Sequence, residues 1–440
     1  MAGPSFIRAG YVPLLDSAVI VAAAAKGFAE ERGIILSLQR ETSWATVRDR
    51  IGVGQFDCAH MLAPMPIAAN LGLGPLPVPM LAPMVLALGG NGVTVSNAVA
   101  AAMDRLGPSG YDASPATAGA ALAAVVRQRG EAGGTPLRLA VVHPHSSHNY
   151  DLRYWLAACG LAPETDVEIT VVPPPLMPDA LAGGGIDGFC AGEPWGTIAV
   201  RRGAGRIVTS RAEIWRRGPE KVLGVRKAFA EENPETLANL LLALGDAAAW
   251  CADADNVPEL ATLLAGPDRL DVEQAALMPG LTGRLETAPG RSRAIPDFMV
   301  FAGSGANRPD HGHGRWLYRQ MAGWGDAPFS DHGLTIAGET FSPQLFDAAT
   351  GVVGDPGAGA VTGDAGDRPA GLFDAEGGGA GLANPLVTCQ FRRDIKTLGE
   401  NPCVMRRSSC ERFGTRRRAS GLPAATTSPA CRSRQPAWTA

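Results

Sequence analysis

Residues 6–39 read FIRAGYVPLLDSAVIVAAAAKGFAEERGIILSLQ, and this stretch decides the fold class. Its first seven residues alternate as a strand. Residues 17–32 carry helical spacing, with Ser17 as a possible cap and Gly33 as a stop, and IILSLQ is a second strand. Strand, helix and strand in this order predict α/β architecture with largely parallel sheets. The alternation continues outward: residues 44–54 predict a short helix, FDCAHM (56–61) a strand, and VLALGGNGVTVS (85–96) a strand, turn and strand. Beyond Asn97 come Ala-rich helices, the second over 117–128, flanking a Gly/Pro/Ser-rich connection at 107–116. LRLAVVH (137–143), DVEITVV (166–172), IDGFCAG (186–192) and RIVTS (206–210) resume the strand pattern, with helices over 148–159 and 177–182. KVLGV (221–225) opens the last part, and helices follow at 234–251 and 256–265.

A central segment between two outer ones suits a chain that crosses twice between lobes. We expect lobe I to comprise residues 1–92 and 213–350 and lobe II residues 93–212, with a ligand cleft where they meet. From 351 to 440 the apolar periodicity fails. Eleven glycines fall within 351–390, and the last 50 residues carry 11 Lys+Arg against 3 Asp+Glu. Such a segment buries too little surface to offset its ordering entropy, and the expectation is a disordered tail.

The 440 residues include 39 basic and 43 acidic side chains, a formal net charge of −4 that gives no overall pull toward nucleic acid. Eight cysteines without a C-x-x-C pair fit reduced thiols. No apolar run reaches the 18 or so residues of a spanning helix. SAVIVAAAA (17–25) resembles an export signal only superficially, since Pro13 and Asp16 precede it and Arg8 is the sole positive charge before it. The expectation is therefore cytoplasmic residence.

Several motifs dissolve on inspection. GGGIDG (183–188) satisfies G-x-G-x-x-G but follows a helix and leads into a strand, the reverse of a dinucleotide site. P-loop, nucleophile-elbow and HExxH patterns are missing. His143-x-His145-x-x-His148 could supply imidazole ligands to a metal, yet Ser147 stands where a hydrolytic site usually places an acid. The plain alternative is two loop or strand-end histidines and one at a helix start. No metal or other cofactor is expected.

The remaining polar residues point to an anion. Trp44 offers an indole N–H and no acceptor, though a tryptophan is more often core. Asn91 in GGNGV reads as a turn residue. His148 precedes a helix, where free amides attract anions. Gly192 in GFCAGEPWG could bring a bare amide to a ligand or simply permit a tight passage. Lys221 in PEKVLGV is either a surface charge or, if turned into the cleft, a full counter-charge.

At these segments the chain resembles the nitrate/nitrite-binding and bicarbonate-binding solute-receptor family of ABC transporters. The resembling runs are GYVPLLDSA, SWATVRDRIGVGQFDCAHMLAP, SSHNYDLRYWLAACGL, VVPPPLMPDALAGGGIDGFCAGEPWG and EKVLGV, spread over residues 6 to about 347. The resemblance implies a two-lobed periplasmic-binding-protein type II fold and no enzymatic activity. It also implies an oxyanion site in which Trp44, His148, Gly192 and Lys221 match the family's tryptophan, histidine, glycine and lysine, while Asn91 stands at its glutamine position. Donors without an evident acceptor favour nitrate or nitrite over bicarbonate. The lack of a readable export signal resembles the branch of cytosolic nitrate/nitrite sensors that hold an RNA-binding antiterminator inactive. That role is the leading expectation, with ligand-driven lobe closure as its switch. The alternative is the extracytoplasmic substrate-binding component of a nitrate or bicarbonate transporter, partnered by an ABC permease and translated from an upstream start. An alternative of another class is a metal-dependent or thiamine-pyrimidine-synthesis-like enzyme on the same fold.

Overall fold

The computed structural model describes residues 3–107, 114–215 and 217–351, so the tail expected over 351–440 lies, except for Gly351, outside the described residues. The amino-terminal part runs β1 (Ser5–Tyr11), α1 (Ala18–Ala25), β2 (Ile34–Arg40), α2 (Trp44–Gly52), β3 (Cys58–Leu62), α3 (Pro64–Asn70) and β4 (Met80–Gly89). The middle runs β5 (Asn91–Ser96), α4 (Asn97–Leu106), α5 (Pro115–Glu131), β6 (Leu137–Val141), α6 (Ser147–Ala158), β7 (Val167–Val171), α7 (Met177–Ala182), β8 (Gly188–Gly192), α8 (Trp195–Arg201) and β9 (Gly205–Ser210). The last part holds α9 (Arg211–Ile214), β10 (Pro219–Arg226), α10 (Lys227–Glu232), α11 (Pro234–Ala252), α12 (Val257–Ala265) and α13 (Gln274–Leu281). A hairpin of β11 (Arg284–Ala288) and β12 (Arg291–Ala294), then β13 (Met299–Val300), α14 (His311–Gly323), α15 (Asp331–Thr340) and α16 (Pro343–Thr350) complete it.

Two sheets with helices around them organise these elements. One has the order β13-β4-β10-β3-β1-β2, the other β7-β6-β8-β5-β9. The chain leaves the first sheet at Gly89, enters the second at Asn91, and returns between Ser210 and Pro219. This is the two-lobed α/β architecture that the resemblance implied. The sheets are mixed, however, and not largely parallel. β1 runs parallel to β2 and β3, and β6 parallel to β7 and β8. The strands next to the crossings run the other way: β10 is antiparallel to β3 and β4, and β5 to β8 and β9.

Local differences from the sequence reading have identifiable causes. The helix expected over 17–32 stops at Ala25, because Gly27 takes φ +87 and breaks the ladder; Glu30–Arg32 is a separate 3-10 turn ended by Gly33. Ser17 does not cap with its side chain, and its hydroxyl donates to the Leu14 carbonyl instead. The signal-like run is a core helix. Residues 18–23 are all buried, which explains an apolar stretch with no amphipathic period. Burying each of Val19, Ile20 and Val21 contributes roughly 1.5–3 kcal/mol. Among the described residues no single helix is long and apolar enough to cross a membrane. Cys58, Cys159, Cys190 and Cys251 are buried free thiols.

Candidate functional site

Four separate backbone devices converge on one buried cluster. Ser43 caps α2, its Oγ accepting from the Thr46 amide at 3.2 Å, and so fixes Trp44 as the first helical residue. Ser146 caps α6 in the same way, accepting from Asn149 N at 3.1 Å, which places His148 in the first turn. In β10, Lys221 lies opposite Leu62 and Leu223 opposite His60 of β3, so these four share a face. Glu220 belongs by alternation to the other face. The pairing of β10 with β4 is irregular between Pro219 and Val222, and there Glu220 and Lys221 both reach the cluster.

The fourth device is Gly192. It ends β8 opposite Asn91 of β5, where the segment 13–16 crosses from the other sheet. Trp195 Nε1 donates to the Pro13 carbonyl at 3.1 Å and Leu15 N to the Glu193 carbonyl at 2.8 Å. A Cβ at position 192 would stand 3.1 Å from Leu14 Cδ2, 3.3 Å from Asp16 Oδ2 and 3.6 Å from Asn91 Oδ1. Close approach of the two lobes thus explains the glycine.

Asp16 and Glu220 link the set. Lys221 Nζ lies 2.7 Å from Asp16 Oδ2 and 2.8 Å from Glu220 Oε1, and 5.5 Å from the centre of the Trp44 ring. His60 Nε2 pairs with Asp16 Oδ1 at 2.9 Å, its ring 5.3 Å from that of Trp44. His148 Nδ1 stands 3.4 Å from Glu220 Oε1. Arg211 closes the far side, bound to Asp151 and 3.3 Å from Glu220 Oε2. Trp44, Asn91, His148 and Lys221 are fully buried. The structure therefore brings together Trp44, Asn91, His148, Gly192 and Lys221.

The electrostatics follow from burial set against pairing. Burial alone would push the Asp16 and Glu220 carboxyls up, but Lys221, with His60 on the first and His148 and Arg211 on the second, holds both at about 2. Burial works against the Lys221 ammonium too, yet the two carboxylates keep its pKa above the ordinary lysine value. Burial drives His148 down to about 3, so the imidazole is neutral. Polar atoms without a protein hydrogen-bond partner collect here: Trp44 Nε1, both polar atoms of the Asn91 amide, and both ring nitrogens of His148. Buried polar groups normally find partners, so the concentration of such groups makes this cluster the candidate binding site.

Three expectations need correction. Lys221 is not an unshared counter-charge, because two buried carboxylates already clasp it. Nor is the site without acceptors, since Asp16, Glu220 and Asp151 line the same cluster. Asn91 is a fully buried strand residue and not a turn. Sequence reasoning assigned none of Asp16, His60, Asp151, Arg211 and Glu220 to the site, although all but Arg211 stand in the runs quoted above. His143 and His145 sit apart, their rings 5.9 Å from each other, beside a cavity of about 190 Å³ with Arg48, Met61 and Met65 on its wall. Among the described residues no three His, Cys, Asp or Glu side chains are grouped as metal ligands.

A family model described as the NMT1-like family matches residues 2–265. The nitrate import ATP-binding protein NrtC of Synechocystis sp. is 33% identical over 350 residues, 79% of this chain and 50% of that protein, so the chain spans about half its length. The nitrate/nitrite binding protein NrtA of Synechococcus elongatus is 30% identical over 357 residues, 79% of this chain and 78% of the relative. The crystal structure of the periplasmic nitrate-binding protein NrtA from Synechocystis matches with a TM-score of 0.72 at 26% identity, covering 80% of this chain and 89% of that one. The chain belongs to the NMT1-like family, the family that its relationship to the nitrate/nitrite binding protein NrtA also supports.

Proposed function

We propose that the protein binds nitrate or nitrite at the Lys221 cluster as the substrate-binding component of an ABC importer, without chemical turnover. The observation that carries this reading is the gathering of fully buried, unpartnered donors, Trp44 Nε1, the Asn91 amide and the His148 imidazole, around a buried ammonium. A small planar monoanion accepts along its whole edge, so these donors and the Gly192 amide suit it. The donors come from elements of both lobes, so a bound anion favours the closed form over the open one.

An ABC permease with its ATPase is the partner that fits the transport role, and the relatives named above support it. The cytosolic-sensor reading, with an RNA-binding antiterminator as partner, drew on the amino-terminal sequence, and the importer relatives favour transport over it. A receptor that serves a permease works on the outer face of the membrane and a sensor in the cytoplasm, and cell fractionation separates the two. The ligand is tested by titrating purified protein with nitrate, nitrite, bicarbonate and an alkanesulfonate in a calorimeter. Saturable one-to-one binding of nitrate or nitrite is expected. Binding of the sulfonate alone would sink the assignment.

A further inference from the structure

We propose that the oxyanion enters this site together with one proton, which the Asp151–Arg211–Glu220 cluster takes up at Asp151. The inference rests on the binding site proposed above and extends it to the linkage between ligand and pH. It begins from the charges. Two cations, Lys221 and Arg211, and three carboxylates, Asp16, Glu220 and Asp151, are all buried together. Each cation is already shared: Lys221 by Asp16 and Glu220, Arg211 by Asp151 and Glu220. A monoanion entering here adds negative charge to a buried cluster that has, among the described residues, no cation to spare, which is costly in a region of low dielectric. Protonating one carboxylate removes that excess.

Asp151 is the group placed to do so. Its Oδ2 accepts from Arg211, while its buried Oδ1 makes no hydrogen bond of ordinary geometry and has the Asn91 amide as its neighbouring donor. A proton on Oδ1 leaves Arg211 bound to Glu220, and it converts an acceptor that repels the anion into an O–H donor. The groups facing this carboxyl come from five elements. They are His148 one turn earlier on α6, Arg211 of α9, Glu220 of β10, Asn91 of β5 and Cys190 of β8. His313 of α14 lies nearby, where burial keeps it neutral. Burial raises the Asp151 carboxyl to about 7, with Glu220 adding to the rise and Arg211 and Asn91 opposing it. The other groups do not compete: the Cys190 thiol is pushed far up, His148 is held down at about 3, and Glu220 is held at about 2.

The sign follows from linkage. A bound anion raises the Asp151 value further, so between the ligand-free and ligand-bound values each anion carries a proton in. Affinity then falls as pH rises above about 7, by up to about tenfold per pH unit, and is flat below. Nitrate stays a monoanion throughout, which makes it the right probe. Calorimetric titrations with nitrate at pH 8, in phosphate and in Tris, separate the heat of buffer deprotonation from that of binding. Dissociation constants at pH 6.5, 7.5 and 8.5 give the slope. Expected are uptake approaching about one proton per nitrate at pH 8 and a loss of affinity between pH 7.5 and 8.5 of several-fold or more. Asp151→Asn, which mimics the neutral carboxyl, should bind nitrate with little proton uptake and a flat pH profile. Nitrate binding to the unaltered protein with buffer-independent heat and constant affinity would overturn the proton linkage while leaving the nitrate site standing. Proton uptake that persists in Asp151→Asn would overturn the assignment to Asp151. Failure of both nitrate and nitrite to bind at every pH would overturn the site and the linkage together.

Discussion

Two polar clusters draw on the same two elements and differ in kind. α2 contributes Trp44 to one and, a turn later, Arg48 to the other, while the segment after β6 contributes His148 to the first and His143 and His145 to the second. The first cluster is fully buried, its charges paired and its neutral donors left without partners. In the second, burial lowers both imidazoles, His143 to about 4, and they line a cavity with apolar side chains and no carboxylate among them. A density of titratable residues in the sequence is thus a poor guide to a ligand. Buried charge beside unsatisfied donors is a better one, because its desolvation is offset only when something fills the donors.

The sharpest way to break this contrast is Lys221→Ala. It leaves Asp16 and Glu220 buried without their shared cation, and breaking a buried pair costs about 3–5 kcal/mol. Thermal unfolding should show a large fall in Tm, and calorimetry no nitrate binding. A variant as stable as the parent would mean that the carboxylates are solvated, and the comparison would fail.

His148→Ala comes next. It removes one buried hydrogen-bond donor to the anion and should weaken nitrate binding by about 1.5–3 kcal/mol, roughly ten- to hundredfold. Gly192→Ala tests the lobe contact: its Cβ, 3.1 Å from Leu14 Cδ2 and 3.3 Å from Asp16 Oδ2, forces a shift of a few tenths of an ångström. We expect a loss of about 1 kcal/mol in affinity or stability, read from the same two measurements. The smallest effect belongs to His143→Ala, which should leave nitrate affinity within about twofold and lower stability by about 1 kcal/mol. An affinity loss matching that of His148→Ala would move the site to the cavity.

Much of the fold was legible because strand and helix periods are local. The strands of FIRAGYV, IILSLQ, FDCAHM and KVLGV and the helix over 177–182 lie where the patterns put them. Helix 17–32 was too long, since a single positive-φ glycine outweighs the propensity of the run before it. Strand direction is not legible for a different reason: pairing partners of β5 and β10 come from distant sequence, and periodicity carries no sign of direction. Site residues divide along the same line. Trp44, His148, Gly192 and Lys221 stand in runs specific enough to be picked out; Asp16, Asp151 and Glu220 stand in the same runs, but nothing local shows that their carboxyls turn into one cluster, and Arg211 lies outside those runs.

By itself the sequence determined the succession of elements, the apolar faces that bury them, and the residue types able to donate to an anion, because these depend on neighbours a few positions away. Tertiary structure alone decided that Lys221 is shared by two carboxylates, that Asn91 is a buried strand residue beside Gly192, and that three carboxylates and two cations occupy one buried cluster. Charge pairing depends on distance in space and on exclusion of water, and neither is written in the order of residues.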